Sequence, residues 1–251
     1  MTDTMTAQTR LAVGKPIKHD SSHLHVSGEA RYIDDLPEAA GTLHAAVGLS
    51  PNAHARIKSM DLSAVAEAPG VIAVSSATDI PGKNQTAHKM PDDLVFAEGI
   101  AEFAGQVIFA VAATSPEAAR KAVLLANINY EVLPPLLDIR EAVEQESFVL
   151  PPRRLSQGDA EAAIQQAKHT LSGSFALGGQ EHFYLEGQIA YALPQEDEQL
   201  LIHSSTQHPH HVQEAIALVR VLCRAVNQQL LIFLRQCIGN LSFQVEMLLS
   251  A

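Results

Sequence analysis

An unbroken apolar strand pattern followed directly by a helix start constrains the fold of this chain more than any other feature. Residues 106–113 read QVIFAVAA, which has the length and composition of a strand. Ser115, Pro116 and Glu117 follow. A serine can cap a helix, proline suits its first position, and an acid favours the positive end of its dipole. The pattern predicts a strand joined to a helix that ends near residue 126.

Further strands and helices alternate along the first half of the chain. A helix with Asp61 or Ser63 as its cap is predicted over residues 62–68, and strands are predicted over 43–50, 71–75 and 128–132. This alternation indicates a mixed α+β or α/β unit. Residues 1–13 form a polar arm, and Pro151-Pro152 marks a boundary, so the first domain is expected over 14–150.

The segment after the boundary predicts a second, smaller unit over 151–219. Asp159 can cap a helix over 158–168, and a second helix is predicted over 208–219. Strands are predicted over 170–176, 188–193 and 199–204.

Charge and cysteine content exclude several classes of function. The net charge of −11 argues against nucleic acid or an anionic membrane surface as a partner. No cysteine occurs in residues 1–219, so that part cannot hold a disulfide, a cysteine-bound zinc or an iron–sulfur cluster. The polar first twelve residues resemble no secretory signal, and no apolar run is long enough to span a bilayer. We therefore expect a cytoplasmic protein.

The composition changes near residue 220. All twelve histidines and all thirteen prolines precede that point, whereas residues 220–251 contain three arginines, one glutamate and both cysteines, Cys223 and Cys237. A natural helix-rich terminus and an aberrant, frameshifted tail both explain such a change, and composition does not decide between them.

A dense polar and aromatic block after two glycines is the strongest candidate for a site. Residues 178–186 read GGQEHFYLE, and Ser205-Thr206-Gln207 follow further on. Such a block suits the wall of a cofactor or substrate pocket, but it also suits an irregular strand edge with a packed Phe–Tyr pair. Glu181 and Glu186 are five residues apart and would face opposite sides of a strand, which argues against an acid–base pair.

Other polar clusters have simpler explanations. The histidines of residues 208–211, HPHH, invite a metal, but no carboxylate or cysteine has matching spacing and a solvated helix start is favoured. Asp34 and Asp35 could bind a divalent cation, although acids before Leu-Pro more often cap a turn. The sequence contains neither a serine elbow nor a glycine-rich phosphate loop.

Several segments, taken in order, resemble the xanthine dehydrogenase/aldehyde oxidase family. Residues 28–35 (GEARYIDD) resemble the opening of its large molybdenum-binding portion, and residues 103–108 and 130–135 resemble the later part of its a/b hammerhead domain. Residues 178–186 and 205–207 resemble the start of its molybdopterin-binding domain. The resemblance covers residues 14–219 and implies a hammerhead domain followed by an incomplete molybdopterin-binding domain.

The resemblance also implies a cofactor and a chemistry. Family members hydroxylate purines, related heterocycles or aldehydes with water as the oxygen source, at a molybdenum–molybdopterin centre. Electrons then pass to 2Fe-2S clusters and FAD, expected here on a partner subunit or segment. The cofactor supplies the difficult chemistry and the protein orients it. The match to the family motif implies that Gln207 contacts the metal centre through its amide. It also implies that residues 178–186 form a structural wall of that domain.

The chain departs from the family pattern after Gln207. The family continues into a glycine-rich segment whose Phe and Glu line the pocket, but residues 220–251 contain a single glycine, Gly239. Set against the family pattern, residues 220–251 are therefore predicted to be an aberrant, frameshifted tail. The catalytic base and substrate residues are therefore absent, and no side chain is assigned a catalytic or metal-ligating role. We expect the N-terminal portion of an enzyme that oxidises hypoxanthine and xanthine to urate, inactive alone. The alternatives are an aldehyde or carbon monoxide dehydrogenase, or a non-catalytic hammerhead interaction module.

Overall fold

A computed structural model of the chain describes residues 14–86, 93–181, 183–184, 187–196 and 199–220, together with the backbone of 246–250. The helices are α1 (Ser22–Ser27), α2 (Ser63–Ala66), α3 (Pro116–Val123), α4 (Ile139–Glu144), α5 (Ala160–Gln166) and α6 (Pro209–Arg220). The strands are β1 (Thr42–Leu49), β2 (Ala55–Asp61), β3 (Val71–Ser76), β4 (Ile100–Ala101), β5 (Val107–Ala113), β6 (Asn127–Val132), β7 (Ile189–Pro194), β8 (Leu200–Ser204) and β9 (Glu246–Ser250).

The strands form two sheets. A six-stranded sheet has the order β3-β5-β1-β9-β7-β8, and a three-stranded sheet has the order β4-β2-β6. In the larger sheet β5 pairs antiparallel with both β1 and β3. In the smaller sheet β2 pairs antiparallel with both β4 and β6. The predicted mixture of helices with strands is confirmed, and much of the pairing is antiparallel.

The hydrophobic core lies in the first half of the chain. Phe109 and Ile108 of β5 and Val65 of α2 are almost completely buried, and Ala122 of α3 packs with them. Half-buried side chains of the smaller sheet, such as Tyr130 of β6, complete this core. The continuous apolar pattern of β5 arises because this strand lies between two neighbours and under helix α3.

The strand–helix unit has the geometry predicted from its sequence. Ser115 Oγ accepts a hydrogen bond of 3.2 Å from the backbone N–H of Ala118, and Pro116 occupies the first turn of α3. At α5 the carboxylate of Asp159 accepts from the N–H of Ala162 at 3.0 Å, which confirms the predicted cap.

The second half of the chain contains a hairpin and a helix. Strands β7 and β8 pair antiparallel, and α6 follows β8, as predicted. The predicted strand over 170–176 is wrong, because these residues have no regular structure and are exposed. Leu171 is 100% and Phe175 87% exposed. A β-strand forms by pairing with a neighbouring strand, and no strand of the described chain pairs with this segment.

Most of the predicted aberrant tail, and all of the arm over 1–13, lie outside the described residues. Of the tail, Arg220 ends α6, and β9 lies between β1 and β7. It pairs antiparallel with β1 and parallel with β7. Among the helices that can be described, none combines the length and hydrophobicity needed to cross a membrane.

Candidate functional site

One end of the β7–β8 hairpin joins Ser205 to the residues that directly follow the 178–186 block. The polar and aromatic block over 178–186 precedes β7, which begins at Ile189. Strand β8 ends at Ser204, just before Ser205-Thr206-Gln207. Antiparallel pairing places Ala190 opposite Ser204. The backbone N–H of Ser205 also donates to the carbonyl of Ile189 at 3.2 Å. The exit of the block and the Gln207 loop therefore meet at the same end of the hairpin.

The acidic motif over 28–35 reaches the same place. Residues Ile33–Asp35 form a short 3-10 turn that packs against β7. A β-carbon added at Gly187 would lie 3.8 Å from Oδ2 of Asp34. Oδ2 of Asp35 accepts a 2.7 Å hydrogen bond from the backbone N–H of Tyr32, which confirms that this acid caps a turn.

A buried tyrosine ties the hairpin to the first domain, which the sequence did not reveal. Tyr191 of β7 is 3% exposed, and its hydroxyl oxygen accepts a 2.8 Å hydrogen bond from the backbone N–H of Ala39. The ring of His203 in β8 stacks on Tyr191, with centroids 6.1 Å apart and planes 22° apart. Burial lowers the pKa of His203, because desolvation disfavours the imidazolium. The buried position of the His203 ring therefore favours its neutral form.

Gln207 lies on the loop between β8 and α6 and is exposed. The loop turns into the helix because Oγ1 of Thr206 accepts a 3.0 Å hydrogen bond from the backbone N–H of His208. Side-chain oxygens of this kind satisfy backbone donors that a helix start leaves unpaired. The arrangement leaves the amide of Gln207 open to approach from outside the described chain.

The described part of the polar and aromatic block over 178–186 is an open loop. Residues 178–181 have no regular structure, and a β-carbon at Gly178 or Gly179 would meet nothing within 4 Å. Phe183 has a φ of 53° and is 92% exposed, so the packed Phe–Tyr pair is wrong. Oε1 of Glu181 accepts from the N–H of Phe183 at 3.3 Å, which stabilises a local turn. Glu186, the other carboxylate of the acid–base pair discussed above, lies outside the described residues.

The histidines over 208–211 make contacts within α6. Nε2 of His210 lies 3.3 Å from Oε1 of Glu214, one helical turn further on. The rings of His208 and His211 stack with centroids 5.1 Å apart. Within the ranges that the structure describes, no group of three His, Cys, Asp or Glu residues is arranged to hold a metal ion.

Two family models match consecutive parts of this fold. Residues 27–134 match the a/b hammerhead domain of aldehyde oxidase and xanthine dehydrogenase, which contains the core around β5. Residues 142–224 match a molybdopterin cofactor-binding domain, which contains the hairpin, the Gln207 loop and α6. The chain belongs to the aldehyde oxidase and xanthine dehydrogenase family. The predicted hammerhead domain and the following molybdopterin-binding segment are thereby confirmed.

Known members of this family match most of the chain. Xanthine dehydrogenase/oxidase of Gallus gallus is 39% identical over 206 residues, which are 82% of this chain and 15% of the relative. Aldehyde oxidase 2 of Rattus norvegicus is 40% identical over 207 residues, again 82% and 15%. The aldehyde oxidoreductase of Desulfovibrio gigas aligns with a TM-score of 0.70 at 26% identity, covering 81% of this chain and 25% of that structure.

The chain spans about 15% of the length of the curated relatives it matches. Molybdenum–molybdopterin is the cofactor to which the second domain corresponds, and FAD and 2Fe-2S belong to other segments of the family. The described residues do not fit around that cofactor by themselves. Gln207 and residues 178–181 are exposed, so these family motifs form one open wall and not an enclosed pocket.

Proposed function

We propose that this chain supplies the hammerhead domain and the first wall of the molybdopterin-binding domain of a molybdenum hydroxylase. The observation that carries the proposal is that the 28–35 motif and Ser205 both contact residues 187–189, which directly follow the 178–186 block in the sequence. In this proposal the amide of Gln207 contacts the molybdenum centre, the chain has no catalytic base of its own, and it works in the cytoplasm.

Exposed apolar side chains support the need for further polypeptide around this wall. Five large side chains between residues 155 and 183 are 85–101% exposed: Leu155, Leu171, Phe175, Leu177 and Phe183. Soluble folds rarely leave so much apolar surface uncovered unless something else packs on it. We propose that the missing cover is the remainder of the molybdopterin-binding domain, with an FAD and iron–sulfur subunit or segment beyond it.

The substrate of the complete enzyme is proposed to be a purine, with xanthine dehydrogenase chemistry that ends in urate. Xanthine dehydrogenases and aldehyde oxidases match this chain at 38–40% identity, so the relatives support the family without separating these substrates. An aldehyde or carbon monoxide dehydrogenase is the alternative within the family.

Molybdenum content tests whether the chain is active alone. The full chain would be purified from a host that makes molybdopterin, analysed for molybdenum, and assayed for xanthine-dependent dye reduction. We expect far less than one metal per chain and no dye reduction, because the wall is open. Stoichiometric molybdenum with substrate-dependent reduction would refute the proposed inactivity.

The DNA that follows codon 219 tests the proposed origin of the tail. We propose that residues 220–251 are a frameshifted end, and the family model stops close to that point, at residue 224. A second reading frame that encodes the glycine-rich Phe–Gly–Gly segment just downstream is the expected result. The repaired gene product could then be assayed with xanthine and with aldehydes, and activity confined to aldehydes would overturn the purine proposal.

A non-catalytic interaction module remains the second candidate function, since the core of the chain lies within the hammerhead part. It predicts a protease-resistant product that ends near residues 145–150 and copurifies with a partner subunit without activity. Limited proteolysis with mass spectrometry distinguishes the two, because resistance extending through α6 favours the leading proposal.

A further inference from the structure

The C-terminal end of α6 accepts hydrogen bonds from a loop of the hammerhead domain that contains Gly82 and Lys83. The backbone N–H of Gly82 donates to the carbonyl of Val219, and that of Lys83 donates to the carbonyl of Leu218, both at 2.9 Å. The last carbonyls of a helix have no partner within the helix, and a separate group must satisfy them. Here the cap comes from a distant part of the chain.

Glycine is required at position 82 by space and not by backbone conformation. A β-carbon there would lie 2.0 Å from the carbonyl oxygen of Leu218 and 2.6 Å from that of Val219. These are backbone atoms, which cannot rotate away as the end of a side chain can. The loop and the helix would have to separate by about 1.5 Å to restore an ordinary contact of about 3.5 Å.

The capping loop is itself fastened to the hammerhead core. Nδ2 of Asn84 donates to the carbonyl of Phe96 at 2.8 Å, and Oδ1 of Asn84 accepts from the N–H of Phe96 at 2.9 Å. The next residue, Ala97, donates its N–H to the carbonyl of Val107 at the start of β5, at 2.7 Å. The loop therefore has a fixed position relative to the core strand.

The opposite end of α6 carries the Gln207 loop. The helix has 12 residues, so it is a rod of about 18 Å. Its first turn is joined to the hairpin through Thr206 and Ser205, whose contacts are described above. A displacement where the helix is capped therefore moves the rod that supports this loop.

We propose that Gly82 and Lys83 are positioning residues for Gln207: by capping α6 from the hammerhead domain, they fix the loop that presents its amide. This inference rests on the cofactor-contacting role proposed for Gln207. It makes the hammerhead domain part of the support of a site whose own residues lie in the molybdopterin-binding domain.

The test uses the full chain with a fluorescent reporter at the loop. The protein contains no tryptophan, so Gln207→Trp introduces a single indole. Gly82→Ala is made in that background, with Gly173→Ala as the matched control, because a β-carbon at Gly173 meets nothing within 4 Å. We expect Gly82→Ala to lower the emission anisotropy of the indole. Amide exchange over residues 209–220 should accelerate about tenfold, since two capping hydrogen bonds are strained.

The control should match the parent in both measurements. Equal exchange rates in the two alanine variants would show that no cap exists, and faster exchange with unchanged anisotropy would refute the positioning role. Should Gly82→Ala fail to fold, Asn84→Ala loosens the loop without inserting an atom beside the helix, and the same two outcomes decide. Neither measurement needs the cofactor, so a failure of molybdopterin binding is a separate result.

Discussion

The pairing of Gly48 with Phe109 predicts a measurable coupling in the hammerhead core. These residues lie opposite each other on β1 and β5, and the ring of Phe109 is 1% exposed. A β-carbon at Gly48 would lie 2.0 Å from Cε1 and 2.4 Å from Cζ of that ring. The glycine therefore provides the space that the ring occupies.

The free energy of unfolding should change in a strongly non-additive way. Gly48→Ala displaces the ring, and overpacking of this kind costs about 1–3 kcal/mol. Alanine is otherwise better than glycine within a strand by about 0.5–1 kcal/mol. In a Phe109→Leu background Cε1 and Cζ are gone, so Gly48→Ala should cost clearly less than it does in the parent. The part of the overpacking that Phe109→Leu relieves should appear as a coupling free energy of about 1–2 kcal/mol between the two substitutions.

Urea denaturation followed by circular dichroism measures the four free energies of this cycle. Comparable denaturant slopes in all four proteins would justify comparing their free energies directly. Gly173→Ala in both backgrounds serves as the control, because it lies in an open segment. Additivity of Gly48→Ala and Phe109→Leu to within about 0.5 kcal/mol would refute the steric explanation.

Three further substitutions test local features of the fold. Ser115→Ala should lower the free energy of unfolding by about 1 kcal/mol in denaturant titrations, because the N–H of Ala118 loses its cap. Burial lowers the pKa of His203 in the folded state. Below pH 6.5 the unfolded chain therefore binds a proton that the folded chain does not bind. The free energy of unfolding should then fall as the pH decreases towards the folded pKa. His203→Gln should remove that part of the pH dependence, which unfolding at pH 5 to 8 measures. Hydrogen bonds from Ser63 lower the pKa of Asp61 below 3.8. Their contribution to the stability of the folded state is lost as the pH falls through the folded pKa. Ser63→Ala should raise that pKa in an NMR titration, and an unchanged value would contradict the assignment.

Local signals in the sequence predicted much of the fold. The apolar run of β5, the cap at Ser115 and the cap at Asp159 each depend on residues within a few positions of one another. Periodicity and capping preferences describe such short-range physics well. The hairpin and α6 were found for the same reason, and the resemblance added the identity of the two domains.

Features that depend on distant contacts could not be read from the sequence. Pro81-Gly82 reads as an ordinary turn, and nothing in the nearby sequence indicates that the N–H groups of Gly82 and Lys83 donate to Val219 and Leu218. The strand predicted over 170–176 failed for a related reason, since none of the strands in the described ranges pairs with these residues. The hydrogen bond from the backbone N–H of Ala39 to the hydroxyl of Tyr191 likewise joins residues far apart in the chain.

Two tethers from the hammerhead domain support the candidate site at separate points. The N–H of Ala39 holds β7 through Tyr191, and Gly82 and Lys83 hold the far end of α6. Between these points lie the hairpin end and the Gln207 loop, where none of residues 203–207 is fully buried. A molybdopterin-binding segment without its hammerhead neighbour would retain the sequence motif but lose both supports. In this proposal the domain that contains none of the cofactor contacts therefore fixes the position of the loop that carries Gln207.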